Sequence, residues 1–133
     1  MDSCEHVRDR IGLEFACPLQ YLETLGILEA VRDALKGHVD LLLLSALEDE
    51  PAHGYELVET LRKKSEGAFD LAEGTVYPSL YRLERRGLIA SGWQTVAGRR
   101  RRVYRLTKSG SGRLQKERTE WRAFTRAMEA VVT

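Results

Sequence analysis

Between Gly74 and Leu106 the chain gathers groups that can hold a polyanion. Thr75, Tyr77 and Ser79 lead into Arg82, Arg85 and Arg86, and a run of four arginines, Arg99-Arg100-Arg101-Arg102, follows. Guanidiniums bind phosphate oxygens through paired donors, and short hydroxyl side chains reach phosphates or base edges. The net charge of +1 hides how strongly the charges are separated. Residues 1–81 hold 7 Lys+Arg against 16 Asp+Glu, a net −9; residues 82–118 hold 12 against 2, a net +10; residues 119–133 balance. One contiguous basic block beside an acidic remainder is the footprint of a protein that neutralises phosphates and stays dissolved. Other chemistry has little to work with. Three isolated histidines, no Gly-x-Ser-x-Gly turn, no glycine-rich phosphate loop and no carboxylate pair argue against an enzyme and against a cofactor. Cys4, His6 and Cys17 fit no zinc spacing and lack a fourth ligand, so no metal site is expected. Two cysteines are too few for a disulfide scaffold and are expected as reduced thiols.

These groups need elements to position them. Leu80, Leu83 and, across Gly87, Leu88 form an apolar stripe at helical spacing, which leaves Thr75, Tyr77, Ser79 and Arg82 for the outer face. That helix begins near Glu73, although Pro78 draws its true start toward Tyr77, because proline costs least in a first turn. Leu88 to Trp93 and Arg99 to Leu106 read as two short strands joined through Ala97-Gly98, and strand alternation lets only two of the four arginines share a face. A helix followed by a basic hairpin describes a winged helix-turn-helix: mostly α, with a small β-hairpin wing. Upstream, Gly54 to Lys64 is an amphipathic helix with Tyr55, Leu57, Val58 and Leu61 inward, and Val39 to Leu47, apolar nearly all round, is a buried helix ending at Glu48-Asp49-Glu50-Pro51. Tyr21, Leu25, Leu28, Val31 and Leu35 predict a helix over 19–36, and Val7, Ile11 and Phe15 a shorter one. After Thr107, a plausible N-cap, a long helix runs to the end. Leu114, Trp121 and Met128 recur every seven residues, and Glu117, Phe124 and Val131 follow three later, the seam of a helix packed lengthwise on another. The expected partner of that seam is a second copy, making a homodimer. Three segments follow: an N-terminal helical extension, 1–37; a DNA-binding domain, 38–106; and a dimerisation helix, 107–133. Val39 to Leu47 is too short to span a bilayer and the N-terminus lacks a signal pattern, so no membrane segment is expected and the cytoplasm is the expected compartment.

With these residues in hand, the chain resembles the PadR family of bacterial transcriptional regulators over roughly Val39 to Val131. The resemblance rests on the LLLLSAL helix, the HGYEL opening of the next, TVYPSLYRLERRGLI, and GRRRRVYRLTKSG leading into the final helix. The single C-terminal helix is similar to that of the smaller members. The resemblance implies a homodimeric repressor on double-stranded DNA that leaves its operator when a small molecule or stress signal arrives. It also implies a phosphate contact for Tyr55 and, at Trp121 with Trp93 nearby, a place for a small aromatic or hydrophobic effector. One departure is the 38 residues before Val39, where such members usually have about ten. The rival reading is a winged-helix protein-interaction module whose basic block meets an acidic protein surface; it would carry exposed aliphatics where Thr75, Ser79 and Arg82 stand.

Overall fold

The computed structural model describes residues 34, 35 and 37–133, together with the backbone of two short strands, β1 (Val7–Arg8) and β2 (Glu14–Phe15). Val7 and Phe15, expected on one helix face, are instead Cα partners in an antiparallel pair. Of the helix expected over 19–36, Ala34 and Leu35 are helical, and the rest lies outside the described residues, as do Cys4, His6 and Cys17.

The body of the molecule is built from α1 (Val39–Ala46), β3 (Ala52–His53), α2 (Gly54–Lys64), α3 (Glu73–Arg85), β4 (Ile89–Val96), β5 (Arg99–Leu106) and α4 (Lys108–Val132). This is a mostly helical winged helix-turn-helix with a three-stranded antiparallel sheet in the order β3-β5-β4. The third strand is an addition to the expected hairpin: Ala52 pairs with Tyr104 and His53 with Val103. His53 then caps α2, its Nδ1 accepting from Glu56 N over 3.4 Å while His53 N donates to Glu56 Oε1 over 3.0 Å. That reciprocal box satisfies two amides that the first helical turn leaves without partners.

The core lies where α1, α2, α3 and the base of the sheet meet. Leu43, Leu44, Leu57, Val76, Leu80, Leu83, Ile89 and Leu114 are fully buried in it. Each such side chain contributes roughly 1.5–3 kcal/mol by leaving water. Leu114, expected at the seam between two copies, therefore belongs to the core of a single chain. Further along α4, Trp121, Phe124, Met128 and Val131 are exposed. α1 is less enclosed than its composition suggests, because Leu41 and Leu42 are only partly buried.

α3 starts at Glu73, not near Tyr77, and holds Pro78 in its interior. Thr75 N and Val76 N donate to Ala72 O over 2.9 and 3.1 Å, which fixes the first turn. Proline removes one helical hydrogen bond on an exposed side, and burial of Val76, Leu80 and Leu83 on the other face offsets it. At the wing tip both central residues of the two-residue turn have positive φ, Ala97 at 50° and Gly98 at 77°, the signature of the type I′ turn that matches strand twist. Thr107 joins wing to final helix. Its Oγ1 accepts from Gly110 N over 3.0 Å as the N-cap and donates to Leu88 O over 2.9 Å. Gly110 packs so closely that a Cβ there would collide with the Leu88 carbonyl oxygen. Among the described residues, no helix is long and apolar enough to cross a membrane.

Candidate nucleic-acid interface

The inner face of α3 is set by Val76, Ser79, Leu80 and Leu83, so the outer face falls to Thr75, Tyr77, Tyr81, Arg82, Arg85 and Arg86, all exposed. Tyr77 leans back over α2, where its ring lies against Gly54; a Cβ at that glycine would stand 2.6 Å from the Tyr77 hydroxyl oxygen. This explains the glycine of the HGYEL segment. Tyr55, the next residue, is 57% exposed rather than turned inward as its apolar character suggested. Gly54, Leu57 and Leu61 take the buried face of α2, and Tyr55 falls off it.

Ser79 does not reach the surface. It is 2% exposed, and its hydroxyl donates to Thr75 O over 3.0 Å and accepts from Arg82 Nη2 over 3.1 Å. The expectation that Ser79 itself faces a ligand is corrected: the polar side chain sits among leucines and works through Arg82. Arg82 and Arg86 both turn toward Asp40 of α1, each with a nitrogen 3.9 Å from a carboxylate oxygen. Asp40 Oδ1 is buried and has no hydrogen-bond partner among the described residues. Tyr81 carries the Arg85 guanidinium 5.7 Å from its ring centroid.

In the wing, Arg100 pairs with Thr95, Arg101 with Gln94 and Arg102 with Trp93 across the β4–β5 ladder. Strand alternation puts Ser91, Trp93, Arg100 and Arg102 on one face and Arg99 and Arg101 on the other. The first face is the one turned to α3. Ser91 Oγ donates to Glu84 Oε2 over 2.7 Å and accepts from Arg102 Nε over 2.8 Å, while Arg102 Nη2 lies 3.6 Å from Glu84 Oε1. Trp93, 56% exposed, has the guanidiniums of Arg100 and Arg102 at 5.3 and 5.8 Å from its ring. Tyr104, buried at the sheet base beyond this cluster, has its phenol pushed above the ordinary value by desolvation.

Trp93 and Trp121 are not brought together. Trp121 stands on α4, edge-on to His38 with centroids 5.1 Å apart and near Phe124 at 6.1 Å. It borders a groove of about 430 Å³ that Leu35, Leu41, Leu42 and Phe69 line, with Arg118 at its side. Arg118 is held there by Glu48, Nη2 to Oε1 at 2.8 Å, and the pair keeps the Glu48 carboxyl below its ordinary range. Beyond Trp121, α4 exposes Phe124, Met128, Val131 and Val132. Three contributors were not picked out as site residues from the sequence: Tyr81, Glu84 and Ser91. Tyr81 alone carried a signal, as an aromatic on the polar face of α3. Among the described residues, no group of three or more His, Cys, Asp or Glu could hold a metal ion.

Residues 43–116, more than half of the chain, match the Transcriptional regulator PadR-like family. The chain belongs to the PadR-like family of transcriptional regulators. A transcriptional regulator of Mycobacterium tuberculosis is 38% identical to it over 88 residues, which are 66% of this chain and 79% of the relative. Among solved structures, a PadR family transcription regulator from Clostridium difficile is similar at 36% identity and a TM-score of 0.66, over 72% of this chain and 99% of the other. A PadR family transcriptional regulator from Eggerthella lenta reaches a TM-score of 0.70 at 29% identity, over 86% and 96% of the two chains. The PadR-like match spans α3, both wing strands and the first turns of α4.

Proposed function

We infer that this PadR-like regulator is a cytoplasmic homodimeric repressor of double-stranded DNA. α3 enters the major groove, the wing lies on flanking phosphates, and two copies read a pseudo-palindromic operator. The observation that carries this reading is the joining of two basic elements: α3 exposes Arg82 and Arg85, and the wing face that bears Arg100 and Arg102 is hydrogen-bonded to α3 through Ser91 and Glu84. Tyr55 of α2 and Tyr77 near the start of α3 add exposed aromatic side chains with hydroxyls. Arg99 and Arg101, on the opposite wing face, add positive potential rather than direct contact. The large exposed apolar residues of α3 are Tyr77 and Tyr81, and none is aliphatic, which disfavours a protein-binding face.

Dimer formation falls to Trp121, Phe124, Met128 and Val131, an apolar row that no described element covers. The groove beside Trp121 has the size and apolar lining for a small aromatic or hydrophobic effector. A hydroxyl-radical footprint of the full chain on its own upstream region tests the arrangement. The expected pattern is two protected tracts about one helical turn apart. A single protected tract would contradict the dimeric reading, and uniform cleavage the DNA-binding one.

A further inference from the structure

The arginine run of the wing is not four equivalent charges. Arg102 is engaged on three sides: its Nε donates to Ser91 Oγ over 2.8 Å, its Nη2 lies 3.6 Å from Glu84 Oε1, and its guanidinium covers Trp93 at 5.8 Å. Ser91 is itself committed to Glu84 Oε2 over 2.7 Å, so one carboxylate of α3 and one hydroxyl of β4 together face one edge of this arginine. Arg100 differs. It shares the Trp93 ring at 5.3 Å and lies nearer the tip, with no carboxylate among its described ion pairs.

We propose that Arg102 is a positioning residue that locks the wing onto the recognition helix through Ser91 and Glu84, leaving Arg100 as the phosphate contact on that face. The inference rests on the DNA-binding reading above. Its physical basis is that a two-stranded ribbon extending beyond its sheet is free to swing, whereas contacts to two phosphate tracts require a fixed angle between helix and wing. Trp93 completes the lock. Its indole face holds both guanidiniums by cation–π attraction and limits where Arg100 can point. A charge already paired with Glu84 releases few additional counterions on binding DNA, whereas an unpaired one releases close to one.

The test uses the full chain, anisotropy titrations of a duplex from its own upstream region over a salt series, and thermal unfolding. Ser91→Ala changes no charge; it is expected to weaken binding about threefold to tenfold with the salt slope unaltered. Ser91→Thr, which keeps the hydroxyl on a residue suited to strands, should restore affinity. Arg102→Gln should behave like Ser91→Ala and add little to it in the double variant, in both binding and melting temperature. Arg100→Gln should instead lower the salt slope by about one and add to Ser91→Ala. Wild-type affinity in Ser91→Ala, or a salt slope reduced by Arg102→Gln as much as by Arg100→Gln, overturns the proposal. So do fully additive losses of melting temperature in Ser91→Ala and Arg102→Gln. If the DNA-binding reading alone is wrong, the wild-type chain shows no salt-dependent binding while the melting temperatures remain non-additive.

Discussion

Ser79 holds Arg82 from inside the protein. The serine hydroxyl, anchored on Thr75 O at 3.0 Å, accepts the guanidinium at 3.1 Å, so an exposed cation of α3 is aimed by a buried hydroxyl. Ser79→Ala removes the aim without touching the surface. The variant should lose preference for the upstream duplex over an unrelated one by about threefold to tenfold, with nonspecific affinity nearly unchanged. Equal losses on both duplexes would mean that Arg82 needs no guidance from Ser79.

Two glycines near the start of α4 should respond in opposite directions. A Cβ on Gly110 meets the Leu88 carbonyl, whereas one on Gly112 meets nothing within 4 Å. Gly110→Ala should lower the melting temperature by roughly 10 °C, since a backbone contact must open. Gly112→Ala should raise stability by about 0.5–1 kcal/mol through helix propensity. Calorimetry on both variants decides the matter; a neutral Gly110→Ala would mean that helix and wing are not in close contact.

The two halves of α4 should respond differently to substitution, since Leu114 is buried and Met128 exposed. Leu114→Ala should cost about 2–5 kcal/mol of fold stability, because it leaves a cavity in the core of one chain. Met128→Glu places a charge on the exposed apolar row and should shift the sedimentation distribution toward monomer. A Met128→Glu protein that sediments as wild type would move the interface off this row.

Glu48 and Arg118 give a dependence on pH. The arginine hydrogen bond lowers the folded-state carboxyl pKa below its unfolded value, so its stabilising effect is present above the ordinary glutamate range and is lost as pH falls through the lowered value. Wild type should therefore melt higher than Glu48→Gln at neutral pH, and the two should converge in acid. Parallel curves down to the acid limit would contradict the pairing.

Much of this arrangement was legible from spacing. Leu80 and Leu83 marked the inner face of α3, and the hairpin announced itself through Ala97-Gly98 and its arginines. Ser79 was misread because its polarity was weighed above its position, although Val76, Ser79, Leu80 and Leu83 share one helical stripe. Tyr55 erred the other way, its ring counted as apolar although Gly54, Leu57 and Leu61 already fill the buried face. β3 is two residues between Pro51 and α2, too short to show alternation. The Glu84, Ser91 and Arg102 cluster joins a helix to both strands, and such proximity depends on packing angles that no local pattern encodes.

The most direct measurement is the affinity of the full chain for a fluorescent duplex spanning its own upstream region, followed over a salt series beside an unrelated duplex. Tight binding that favours the upstream duplex and falls steeply with salt is the expected result, because α3 and the wing would then displace counterions and read sequence together. Absence of binding to either duplex at low salt would contradict the account, and the basic surface of α3 and the wing would belong to a protein partner instead.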